Sequence, residues 1–211
     1  MLVAPDGTLL VLAAAGQQLH AVHRVTGQVA ATADLGAAGR VSRLSIGPGG
    51  EVAALLTNDG QGSALARFDA ALQPDGDPVP LLPKEATRPR DVQLRDDGTA
   101  VVTLATADSG RLLVLDGGDV GLTVDLGRAA DSGLDLTLSP DARFATVPLA
   151  ALQELPRVST FDLTSCDEVG STALCDAFGD FGDTAASADG ETLVVTGLCL
   201  ADHTTRAFLL G

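Results

Sequence analysis

Ala4-Pro5-Asp6-Gly7 runs directly into the apolar stretch TLLVLAAA, and the same grammar returns four times. It recurs as Gly47-Pro48-Gly49-Gly50 before EVAALLT, Arg95-Asp96-Asp97-Gly98 before TAVVTLAT, Ser139-Pro140-Asp141-Ala142 before RFATVPLA, and Ser187-Ala188-Asp189-Gly190 before ETLVVTG. The starts at 4, 47, 95, 139 and 187 lie 43, 48, 44 and 48 residues apart, a period that belongs to repeat architectures. Where the tetrapeptide carries them, proline presets φ for the second turn position, aspartate bonds its own local backbone, and glycine takes the positive φ that closes a short hairpin.

Two strands flank each turn. The one before it alternates, as in Arg43-Leu44-Ser45-Ile46 and Asp135-Leu136-Thr137-Leu138; the one after it is nearly all apolar, as in a strand buried on both faces. A third segment follows in every copy: Leu19 to Val22, Ala64 to Phe68, Arg111 to Leu115, Val158 to Phe161 and Thr205 to Phe208. A polar turn then leads to a fourth strand, clearest in QVAATADLG (28–36) and GLTVDLG (121–127). Four strands in about 45 residues is the size of one propeller blade. No sustained helical period is present, and the nearest exception, residues 149–155, is short and bounded by Pro148 and Pro156.

The sequence therefore predicts an all-β chain, a β-propeller of about five four-stranded blades within a single domain over 1–211. The approximate repeats are 1–39, 40–87, 88–131, 132–179 and 180–211. The last blade is incomplete, since only Leu209-Leu210-Gly211 follow Phe208. Either five blades form a ring with one imperfect closure, giving a monomer, or the chain is part of a larger propeller. Exposed sheet edges, which native proteins avoid, favour the second.

The 211 residues carry 13 basic against 28 acidic side chains, for a net charge of -15, and Lys84 is the single lysine. Such a surface repels phosphates, so nucleic acid is a poor partner. The absence of Trp and Tyr removes the usual platforms for stacking bases or sugars. No apolar run approaches the roughly 20 residues a bilayer requires. The opening MLVAPDG lacks the features of a secretory signal. Cys166, Cys175 and Cys199 leave an odd thiol. The favoured reading is buried inert thiols, followed by one disulfide in an oxidising compartment, then a metal site, for which no close Cys-x-x-Cys spacing exists.

The first copy, VAPDGTLLVLAAAGQQLHAVHRVTGQVAATADLG, resembles the YVTN or PD40 type of bacterial β-propeller repeat, in the lactonase-like and TolB-like propeller superfamily. That pattern has a Ser-Pro-Asp-Gly turn, an apolar strand, a strand ending in Asp, a Thr-Gly turn and a closing strand ending in Leu-Gly. Asp69, Asp116 and Asp162 match the strand-ending Asp, His23 replaces it in copy one, and Thr26-Gly27 keeps the turn. Gly49 and Ala142 depart from the tetrapeptide, and the usual tyrosine is missing. No Trp-Asp dipeptide supports the WD40 type. The resemblance implies a propeller located in the cell envelope or secreted; it carries no chemistry by itself.

In a propeller the first strand of each blade lines the centre, and the connection into it opens on the ligand face. Seven residues before the last turn residue stand Arg43, Asp91, Asp135 and Asp183 in copies two to five. With Arg90 and His203 these form the candidate channel-mouth site, for a cation or cationic ligand held by carboxylates. The plain alternative is that they begin strands, meet solvent and pair with Arg43 or Arg90. Lys84-Glu85-Ala86-Thr87-Arg88-Pro89-Arg90 clusters cations for an anionic metabolite or acidic peptide end, or is simply a solvated loop. Residues 176–183 (DAFGDFGD) offer oxygen ligands for Ca2+ without the specific spacing of a calcium loop, and their two phenylalanines would equally fill the gap between blades.

His20, His23 and His203 are the only imidazoles; His203, in a ligand-face connection, is the best-placed general base. No nucleophile-elbow, zinc-protease, P-loop or dinucleotide motif occurs, and no catalytic set or cofactor is assigned. The expected function is a non-enzymatic binding or scaffold module presenting a loop-bearing face to a protein, peptide or small ligand. The alternative is a lactonase-like hydrolase at the channel mouth, and a third reading is a scaffold segment with no ligand.

Overall fold

A computed structural model describes the chain except residues 1, 8, 15–16, 59–61, 84–86, 128–133, 151–154, 176–178, 188, 200–203 and 211. Nineteen strands and one 3-10 turn, Gly36–Ala38, make up the regular structure among the described residues. They form five antiparallel sheets, each strand pairing with the next in sequence.

The first sheet contains β1 (Leu2–Val3), β2 (Leu9–Ala14), β3 (Gln18–His23) and β4 (Val29–Asp34). The second contains β5 (Arg40–Ile46), β6 (Val52–Asn58), β7 (Gly62–Phe68) and β8 (Val79–Leu81). The third contains β9 (Arg88–Leu94), β10 (Ala100–Ala105), β11 (Gly110–Asp116) and β12 (Asp119–Asp125). The fourth contains β13 (Thr137–Leu138), β14 (Phe144–Leu149), β15 (Arg157–Asp162) and β16 (Glu168–Ala173). The fifth has three strands, β17 (Gly179–Ala186), β18 (Leu193–Cys199) and β19 (Thr204–Leu210). These sheets are β-propeller blades, and the last lacks a fourth strand, as the sequence predicts. The chain divides into two compact units, residues 1–102 with 114–121 and residues 103–113 with 122–211, and each is described by itself.

All five tetrapeptides adopt one geometry. The fourth residue donates its amide to the carbonyl of the first, at 2.8 Å for Gly7, 3.0 Å for Gly50 and Gly98, 2.7 Å for Ala142 and 2.9 Å for Gly190. Each of those residues is left-handed, with φ between 53° at Ala142 and 86° at Gly50. Glycine is preferred there because a Cβ crowds the backbone in that region, so Ala142 sits in a strained conformation. The third-position carboxylates bond as expected: Asp97 accepts the Thr99 amide at 2.9 Å, and Asp141 and Asp189 accept those of Arg143 and Glu191 at 3.1 Å.

Burial follows strand position. β6 is buried from Val52 to Leu56 and β10 along its whole length, whereas every residue of β16 is exposed. In the first unit, Val11, Leu19, Ala21, Leu56 and Phe68 form one core between the first two sheets. In the second, Ala150, Val158, Phe181 and Val195 form another between the fourth and fifth. Phe181 thus fills the gap the sequence reading assigned to it; Phe178 lies outside the described residues.

Two expectations are corrected. Asp135 and Leu136 are not in a strand: Leu134 turns left-handed, at φ 70°, with its amide on the Pro148 carbonyl at 3.0 Å, so β13 is confined to Thr137 and Leu138. The cysteines are not all free thiols. Cys175, just beyond β16, is bonded to Cys199 at the end of β18, with the Cα atoms 5.9 Å apart, because the two sheets pack closely there. Cys166 remains a thiol at the left-handed turn position, φ 66°, that Gly27 occupies in the first copy.

Two stability tests follow from these contacts. A Cβ on Gly190 would stand 2.3 Å from Pro140 Cδ, whereas one on Gly98 meets nothing within 4 Å. Gly98→Ala should therefore cost about 1 kcal/mol from φ alone and Gly190→Ala clearly more, while Ala142→Gly should gain about 1 kcal/mol, all measured by urea unfolding. Separately, Cys199→Ser should destabilise by about 3 kcal/mol, as expected for opening a covalent loop of this length, while Cys166→Ser has no such effect.

Candidate functional site

The residues proposed from spacing fall in both units. In the first, Arg43 lies on β5 and Arg90 and Asp91 on β9, two strands that pack side by side. Arg43 is exposed, with Nη1 donating to the Ser42 carbonyl at 3.1 Å. Asp91 is half-buried, and its Oδ1 accepts the Val92 amide at 2.8 Å. Arg40, Arg43, Arg88 and Arg90 all occupy β5 and β9, so this strip is basic within an acidic chain. In the second unit, half-buried Asp135 precedes β13, and exposed Asp183 lies on β17. His203 lies outside the described residues, as do Lys84, Glu85 and Ala86 of the basic loop and residues 176–178 of the acidic loop.

Equal spacing from the turn does not give equal backbone settings. Arg43 pairs with Leu55 beyond a bulge at Ser42, whereas Asp183 itself sits in the irregular step between Phe181 and Thr184. Among the described residues no three His, Cys, Asp or Glu side chains converge as a ligand set.

Hydroxyls connect successive inner strands. Ser45 Oγ accepts the Leu94 amide at 3.0 Å in the first unit, and Thr137 and Thr184 share a 2.8 Å bond in the second. Ser63 and Thr87 add a 2.7 Å link. In strand register Ser45 pairs with Ala53 and Ala53 with Arg67, so all three share the sheet face turned to the third sheet. Arg67 uses that position: Nη1 donates to the Gly98 carbonyl and Nη2 to the Leu115 carbonyl at 3.3 Å. The sequence reading missed Arg67; its signal is a single long cation inside the otherwise small and apolar run of β7.

The spaces between sheets form open grooves. One, of about 190 Å³, lies between the first and second sheets, with Leu9, Val11 and Ala21 on one wall and Ile46, Pro48 and Gly50 on the other. Another, of about 250 Å³, lies between the fourth and fifth, where Thr146, Thr160 and Gly190 line it. Thr146 and Thr160 bond each other at 3.1 Å.

The best-formed ion pair marks the end of β15. Arg143 donates Nε and Nη2 to Asp162 Oδ2 at 3.0 and 2.6 Å, and Asp162 Oδ1 accepts the Thr164 amide at 2.8 Å. The Asp162 carboxylate is 8% exposed against 57% for its partner. The Arg143 hydrogen bond, followed by the Thr164 amide, holds Asp162 down at about 2.

The sequence matches no family model. No curated protein matches it either. Solved structures do, at the level of the fold. The β-propeller domain of Cps50 (Swd1) from Myceliophteria thermophila aligns with TM-score 0.67 and 13% identity over 99% of this chain and 63% of that one. Dihydro-heme d1 dehydrogenase NirN in complex with DHE aligns at 0.64 and 18%, over 99% and 43%. A chain of the Mitotic Checkpoint Complex aligns at 0.72 and 11%, over 98% and 59%. The chain thus spans about two fifths to three fifths of these neighbours' lengths, and the likeness is one of β-propeller fold.

Asp162 supplies a pH test. Its folded pKa lies below the ordinary value of about 3.9, so its contribution is present above pH 4 and is lost as pH falls towards 2. Arg143→Leu should bring the Asp162 carboxyl back towards its ordinary titration and flatten that part of the stability profile, followed by carboxyl 13C shifts and urea midpoints between about pH 2 and 5.

Proposed function

We propose that this chain is a non-enzymatic β-propeller binding or scaffold module that engages a protein partner. The observation supporting this reading is the open groove where half-buried Leu9 and Ile46 and exposed Pro48 leave apolar surface reachable by another chain above the buried Val11 and Ala21. The fold neighbour named for an assembly, the Mitotic Checkpoint Complex, agrees with a protein-binding role, although NirN carries the name of an enzyme. The turn grammar supports kinship with the YVTN and PD40 repeats. The Cys175–Cys199 bond supports an oxidising compartment, the cell envelope or outside the cell. Arg43, Arg90 and Asp91, which the first unit holds on β5 and β9, stay as the proposed second contact region; Asp135 and Asp183 belong to the second unit, and His203 lies outside the described residues.

Photo-cross-linking side chains placed at Ile46, and separately at Arg43, test this reading in intact cells. One recurrent protein adduct from either position is the expected result. Lactone turnover by the purified chain that disappears in Asp135→Ala, without any adduct, replaces the module by a hydrolase.

A further inference from the structure

The ladder registers let the inter-sheet grooves be compared position by position. Val3 and Ile46 immediately precede their turns and pair with Leu10 and Val52; one step further in, Val11 pairs with Ala21 and Ala53 with Arg67. Ala21 of the first sheet is therefore the structural counterpart of Arg67 in the second. By the same count Thr160 is the counterpart in the fourth, where Thr146 faces it.

These equivalent positions are filled differently. Arg67 reaches across to the third sheet, placing its guanidinium on the carbonyls of Gly98, the left-handed turn residue, and Leu115, which precedes the strand-ending Asp116. By the same count the residues of the second sheet that match Gly98 and Leu115 are Gly50, also left-handed at φ 86° and lining the groove between the first and second sheets, and Phe68, which precedes Asp69 in the core beneath it. No arginine stands at residue 21, and the groove there is open, with an aliphatic wall from Leu9, Val11 and Ile46 and with Asp6 at its rim. The groove between the fourth and fifth sheets differs: Thr146 and Thr160 stand at the positions of Val11 and Ala21, beside Leu138, Phe144 and Leu193, and Pro140 closes on Gly190.

We propose that the groove between the first and second sheets receives an arginine side chain from an extended segment of a partner protein, in the position Arg67 fills one repeat further on. This rests on the binding-module reading and adds the chemistry of its ligand. A guanidinium fork suits two carbonyl acceptors set by a turn and a strand end, and its methylene stem lies along Leu9, Val11 and Ile46. Ammonium lacks the fork. The net charge of -15 favours the approach of a cationic segment.

The test uses the full chain and a blocked pentapeptide GARAG, with its lysine and citrulline counterparts, followed by amide shifts in 15N spectra. Saturable shifts centred on Ala21, Ile46 and Gly50, several-fold weaker with lysine and with citrulline, are expected. Ala21→Arg should fill the groove from within, raise the thermal midpoint and weaken GARAG binding by about tenfold or more, a change of about 1.4 kcal/mol. Should that variant fail to fold, Ala21→Met, which occupies the stem space without a donor, should block the peptide in the same way. Arg67→Ala should create a second site reporting at Gly98. Shifts spread evenly over the acidic surface, or binding unchanged in the filled variants, overturn the proposal. A cross-linked partner that binds the Ala21→Met chain as well as the original removes the groove assignment and leaves the module reading standing, whereas lactone turnover with no adduct removes the module itself.

Discussion

The first, second and fourth sheets each have one face covered by the sheet that follows, and this constraint organises the rest. Ser45, Ala53 and Arg67 share such a face in the second sheet, and Thr137, Thr146 and Thr160 share its counterpart in the fourth. A lone four-stranded sheet in water leaves half its apolar surface wet, so the blades stabilise one another in neighbouring pairs. Buried hydroxyls do the polar part of that work. Leu94 needs an acceptor for its amide, and Ser45 supplies one without interrupting the apolar contact around it. The outermost strands carry little of this burden, which is why β16 tolerates complete exposure.

Much of this was legible in the sequence because turn chemistry is local. A left-handed fourth residue and an apolar run behind it, with an aspartate in front of it in four of the copies, fix a hairpin whatever surrounds them, and all five tetrapeptides close the same turn. The incomplete fifth blade was readable by counting. The cysteine pairing was not, since Cys175 and Cys199 meet only through the packing of one sheet on another. Asp135 failed as a strand residue for a similar reason, the Leu134 turn being held by Pro148 and by the Thr103 hydroxyl.

The candidate site was less legible. Counting back from a turn assumes an unbroken ladder, and the bulges at Ser42 and around Asp183 add residues that leave no mark in composition. Sequence periodicity locates a face but does not say how far a side chain reaches across to the next sheet. The contact Arg67 makes was invisible for that reason, although the residue itself was correctly placed with Ala66 and Phe68 in the third strand of its copy.

Because strands join in the order they are made, every sheet can complete as its own repeat emerges during synthesis, and no sheet waits on a distant segment. The covalent bond is the exception. Cys175 must wait until Cys199, at the end of β18, has been made, so the carboxy-terminal unit is locked only after most of the chain has already found its partners. The disulfide then acts as a late latch that preserves a fold already reached by local pairing, rather than as a guide that selects it.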